Sequence, residues 1–126
     1  MSALYDLYTE GRLVKALSAG AGAAGVLSIR NDSGQDLIIE DLVLRITGTV
    51  SGQTVDAGVA ATAITNDSLI DGASIASAAR LSNHLNPGTN GKTRAYWPNG
   101  HFLTVTASGT PTGLVGTADI YAKPVS

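Results

Sequence analysis

The chain has 126 residues, a net charge of −2 and no cysteine. It is long enough for one domain with a buried core, and disulfide frameworks and thiolate metal sites are excluded. Its 8 Lys and Arg are scattered from Arg12 to Lys123, which argues against a basic face for nucleic acid or an anionic membrane; apolar runs such as Leu42 to Leu44 fall far short of the ~20 residues that span a bilayer.

The first residues, MSALYDLYTEGR, carry Asp6 and Glu10 where a secretory signal would be apolar, so export by that route is not expected. Leu4, Leu7, Tyr8, Val14 and Leu17 follow a roughly helical spacing despite Gly11, and Ser18 to Gly25, SAGAGAAG, has the composition of a flexible linker. Residues 1–24 therefore read as an arm and tether in front of a domain over 25–126. The arm's apolar face either packs on its own domain or reaches a neighbouring subunit or other partner; contact with a neighbour is the expectation carried forward.

From Val26 onward short Val/Ile/Thr-rich runs alternate with Gly, Asn, Asp and Pro, the pattern of many strands joined by turns. VLSIR puts Leu27 and Ile29 on one face, and NDSGQD follows as a turn. In LIIEDLVLRIT, Leu37 and Ile39 share one phase while Leu42, Leu44 and Ile46 share the other, so a bulge or bend is expected at Glu40–Asp41. QTVDAGVA turns Val55, Ala57 and Val59 inward. The region from Ile64 to Lys92 lacks clean alternation; ASIASAAR within it has room for a helical turn or two. RAYW, Pro98-Asn99-Gly100 and HFLTVTA read as a hairpin, because Asn-Gly suits a tight turn. GLVGTADIYA, Gly113 to Ala122, is the last strand. The expectation is an all-β, jelly-roll-like β-sandwich preceded by an N-terminal arm, with Leu27, Ile29, Leu42, Leu44, Ile46, Val105 and Ile120 in its core.

Motifs that carry chemistry are incomplete. NPGTNGKT, Asn86 to Thr93, ends like a phosphate-binding loop, but Asn86 stands where the first glycine belongs and Pro98 follows where a helix should run. His84 and His101 have no zinc spacing. Gly72-Ala73-Ser74-Ile75-Ala76 lacks the last glycine of a nucleophile elbow. Asp32 with Asp36, or Asp67 with Asp71, offers loop carboxylates to calcium outside the 12-residue calcium-loop pattern, and such acids usually shape turns. The sequons at Asn31 and Asn66 read as turn chemistry. Tyr96 and Trp97 face opposite sides of a strand, one toward the core and the other toward an interface. No cofactor, metal or catalytic residue is expected.

DSLIDGASIASA followed by GTNGKTRAYWPNGHFLTVTASGTPTGLVGTADIY resembles a recurrent pattern in small structural proteins of tailed bacteriophages. The resemblance covers about Val26 to Tyr121 and rests on the order of Leu69-Ile70-Asp71-Gly72, Gly88-Thr89-Asn90-Gly91-Lys92 and Leu114-Val115-Gly116-Thr117-Ala118. It implies a capsid decoration, or cement, protein: a virion protein on the exterior of the head, made in the host cytoplasm. Such a protein binds the major capsid protein, often as a homotrimer, without catalysis, nucleic acid or membrane. Leu4, Leu7, Tyr8, Val14, Leu17, Tyr96 and Trp97 are then the candidate interface residues. The alternative is a receptor- or glycan-binding sandwich of a tail fibre or spike, with Tyr96, Trp97 and loop acids as a sugar platform.

Overall fold

The computed structural model describes residues 11–18, 25–62, 66–109 and 111–125. Among the described residues, nine antiparallel strands form two sheets: β1 (Arg12–Ser18), β2 (Gly25–Arg30), β3 (Leu37–Gly48), β4 (Thr54–Ala60), β5 (Ile70–Ser74), β6 (Ala79–Ser82), β7 (Ala95–Trp97), β8 (Phe102–Ala107) and β9 (Val115–Pro124). One sheet runs β1-β9-β3-β6, with the short β7 also on β3; the other runs β2-β8-β4-β5. The ladders are nested: β4 pairs β5, β3 pairs β6, β2 pairs β8 and β1 pairs β9. The chain is thus one long hairpin rolled into a sandwich, which is the jelly-roll order the sequence suggested.

Period-2 alternation explains why the sheets face each other. Leu42, Leu44 and Ile46 of β3 and Ala118 and Ile120 of β9 meet Val55, Ala57, Leu103 and Val105 of the other sheet, and all are buried. The phase slip at Glu40–Asp41 is a bulge: β3 is one continuous strand whose register against β9 shifts between Ile39 and Asp41, so Leu37 and Ile39 are buried as well. Ile29 is buried as expected, whereas Leu27 is only partly buried against the core and the register shift between Gly25 and Leu27 brings Val26 into it.

Three expectations are corrected. Within the expected arm, residues 12–18 form β1, hydrogen-bonded along its length to β9. Strand alternation overrides the helical spacing there, burying Leu13 and Leu17 while Val14 faces outward. Leu4, Leu7 and Tyr8 lie outside the described residues. Second, ASIASAAR holds no helix; it completes β5, bends and enters β6, because Ile75 is pulled wholly into the core and its N–H donates to the Gln53 carbonyl at 3.1 Å. Third, the Asn99–Gly100 turn exists, yet β7 and β8 are not a hairpin. Trp97 pairs with Leu37 in one sheet and Phe102 with Arg30 in the other, so the turn carries the chain across the sandwich.

Two asparagines that look like loop residues pin loops to the sheets, Asn31 at this crossing and Asn83 at the β3 bulge. Asn31 is fully buried; its amide donates to the carbonyls of Trp97 at 2.8 Å and Gln35 at 2.9 Å, and its oxygen accepts from the Ser33 hydroxyl and N–H. Asn83, also fully buried, accepts from the Leu42 N–H at 3.0 Å beside the β3 bulge and donates to the Thr93 carbonyl at 2.9 Å. Buried polar groups persist where every bond is made, and both side chains meet that condition.

Candidate functional site

The two stretches that carry the phage resemblance meet in space. Asp71, from the Leu-Ile-Asp-Gly segment on β5, accepts hydrogen bonds through one carboxylate oxygen from the N–H groups of Thr89 at 3.2 Å and Asn90 at 3.1 Å. Asn90 in turn donates from its side chain to Asp67 at 3.0 Å. A Cβ on Gly88, which sits at φ +58°, would run into the carbonyl of Asp71, and one on Gly91 would strike the carbonyls of Pro87 and Leu69. Glycine is required at both positions because the loop lies directly against β5. The spacing of these motifs is therefore the geometry of a clasp.

That clasp also answers the phosphate-loop question. A phosphate-binding loop aims successive N–H groups at an anion; here Thr89 and Asn90 aim theirs at Asp71. Millimolar ATP with magnesium is expected to leave the thermal midpoint unchanged, whereas Asp71→Ala lowers stability by about 1 kcal/mol; a ligand-induced rise of several degrees in a thermal melt would contradict this.

The other polar candidates are similarly engaged. Asp36 accepts from the Tyr96 hydroxyl at 3.1 Å and the Asn99 N–H at 2.9 Å, and this acceptor raises the Tyr96 pKa above 10.0 by its hydrogen bond and its charge. Ser74 accepts from the Ala76 N–H, as an ordinary turn serine does. His84 Nε2 lies 3.0 Å from the Glu40 carbonyl oxygen and 3.7 Å from an Asp41 oxygen, while the His101 carbonyl accepts from Trp97 Nε1. Among the described residues, no three His, Asp or Glu side chains come together as a metal-holding group.

The chain matches no known family model, no curated protein and no solved structure.

Of the proposed interface residues, Leu17 and Trp97 are corrected to core. They are 4% and 0% exposed, since both project between the sheets. Val14 and Tyr96 remain on the surface, at 48% and 53%. What the sequence did not flag is the outer face of β1 and β9. There Val14 and Tyr121 lie on the solvent side, with Val115 at the end of the same ladder, and all three are exposed. Between them Asp119 is buried although it points outward, held by Arg12 at 3.1 Å and by Arg45 at 3.8 Å. Arg12 also lies over the Tyr121 ring, 5.7 Å from its centroid. The result is a mixed, pre-ordered face in which exposed Val14, Val115 and Tyr121 flank an Arg12–Asp119–Arg45 cluster of net charge +1. The sheet edge beside it is guarded, because Lys15 shares the inward side of β1 with Leu13 and Leu17, and an inward charge opposes strand addition.

Proposed function

We propose that this protein is a structural virion protein that binds the exterior of a tailed-phage head as a homotrimer, docks on the major capsid protein and stabilises the lattice without catalysis. The observation that carries the reading is the outer face of β1 and β9, where Val14, Val115 and Tyr121 are exposed beside the Arg12–Asp119–Arg45 cluster. A solvated sheet face would alternate to polar residues at these positions, whereas an interface core favours tyrosine, arginine and apolar side chains. The fold adds support, since jelly rolls recur in viral capsid and lectin domains. So does the clasp, which gives the resembling residues a scaffold role.

Docking removes these apolar side chains from water, and many copies on one lattice add avidity. In a sedimentation assay, the purified protein is expected to pellet with expanded heads that lack it. The variant carrying Val14→Asp and Tyr121→Asp, both at exposed positions, is expected to stay folded and to bind at least about tenfold more weakly, the effect of losing interface anchors. Equal pelleting of variant and parent would remove this face from the interface, and failure of the parent to pellet would remove the function.

A further inference from the structure

At the sheet edge opposite β1, β7 leans over β4 and leaves an open cleft of about 340 Å³ lined by Val59, Ser68, Lys92, Arg94, Ala95 and Tyr96. Its volume is at the small end of ligand sites, enough for a sugar unit or two and too small for a folded segment. Three of its features are unusual together. Lys92 and Arg94 are exposed, and neither makes an ion pair among the described residues; the carboxylates of Asp36, Asp67 and Asp71 are engaged instead by the Tyr96 hydroxyl, the Asn90 side chain and the Thr89 N–H. Tyr96 presents an exposed ring whose hydroxyl is tied to Asp36. Ser68 adds a hydroxyl that accepts from the Val59 N–H at 3.2 Å and retains a proton to donate.

These groups stand on a fixed frame. The Lys92 N–H donates to the Ser68 carbonyl at 2.9 Å, and the buried Asn83 amide holds the carbonyls of Lys92 and Thr93 at 3.4 and 2.9 Å. The neighbouring Thr89 and Asn90 are clasped by Asp71. The backbone that presents the two cations is therefore anchored before any ligand arrives, which lowers the ordering cost of binding. The Tyr96 ring, restrained at its far end by Asp36, is similarly set.

The geometry points to an acidic-sugar site: a pyranose whose apolar face stacks on Tyr96, with its carboxylate received by Arg94 and Lys92 and a ring hydroxyl by Ser68. Arginine offers a planar fork to a carboxylate, lysine adds a point charge, and an aromatic face suits the C–H side of a sugar ring. A peptide acid would use the cations and leave the ring idle; a neutral sugar would use the ring and leave both cations unpaired. This site does not rest on capsid docking, and its test uses the free protein.

The test is a titration of the intact protein, followed by backbone amide NMR, with methyl glucuronide, methyl glucoside and acetate as separate probes. Saturable shifts at Lys92, Arg94, Tyr96 and Ser68 with the glucuronide are expected, at least about tenfold tighter than with either other probe, the value of one added charge-assisted contact. Arg94→Ala and Tyr96→Ala are each expected to weaken glucuronide binding by a similar factor while the remaining spectrum stays that of the folded protein. Acetate binding as tightly as glucuronide would reduce the cleft to a simple anion site and overturn the proposal; so would the absence of saturable glucuronide shifts, or glucuronide binding unaffected by both substitutions.

Discussion

Deleting residues 1–24 is expected to unfold the protein. The sequence alone predicted a detachable arm, whose loss would spare the sandwich, but β1 is the partner of β9 along seven residue pairs from Arg12–Tyr121 to Ser18–Val115. Removing it strips two buried leucines, Leu13 and Leu17, from the core and leaves the β9 backbone unpaired on that side. Large-to-small changes at single buried leucines cost about 2–5 kcal/mol. Losing both, with a strand, approaches the ~5–15 kcal/mol that holds a whole domain together. Leu17→Ala tests the same point within an otherwise intact chain: its thermal midpoint should fall by roughly 10 °C, on a scale of about 4 °C per kcal/mol. Circular dichroism of the truncated protein showing a cooperative sandwich with an unchanged midpoint would contradict the placement of β1.

The second large effect is expected at Trp97. It is fully buried, its Nε1 donates to the His101 carbonyl at 2.9 Å, and its own carbonyl accepts from Asn31. It therefore fixes the point where the chain crosses from one sheet to the other. Trp97→Ala leaves a large cavity there and should cost about 3–5 kcal/mol. Trp97→Phe keeps most of the volume and loses the indole donor, for about 1–3 kcal/mol. Chemical denaturation of the two variants gives both values, and an alanine cost below that of phenylalanine would show that the site is not packed as described.

These two residues mark what could be read from sequence and what could not. In β3, alternation alone marked two phases and a bulge or bend between them, since side chains with a two-residue period must change face wherever a residue is inserted; that it is a bulge, and that Leu37 and Ile39 are buried too, came from the structure. β1 was hidden because Val14 and Leu17 continue a helical spacing that runs from Leu4 in the sequence, and only the pairing with the distant β9 shows a strand there. The partner of Trp97 was equally remote: Asn-Gly specifies a turn but says nothing about which sheet receives the next strand. Asn31 read as a turn residue and Asn83 lies in the region without clean alternation, yet both are fully buried; their importance comes from the carbonyls that the fold carries to them. Of the candidate site, Val14 was legible as an interface residue, and Tyr96 only as one of an adjacent aromatic pair of which one member would face outward. Tyr121, Val115 and the Asp119 cluster were not, because they lie in an ordinary alternating strand and become a face only when β1 and β3 flank β9. The clasp between Asp71 and the Gly88–Lys92 loop was visible as two motifs and became one unit in three dimensions.

A cement protein must strengthen the shell it binds, so the most direct measurement is the rupture temperature of expanded, undecorated heads with and without saturating protein. A ligand that binds only the intact lattice raises its stability by mass action. The predicted result is a rise of several degrees that saturates with occupancy and is lost with the Val14→Asp and Tyr121→Asp variant. Heads that rupture at the same temperature at full saturation with the parent protein would contradict the proposed function.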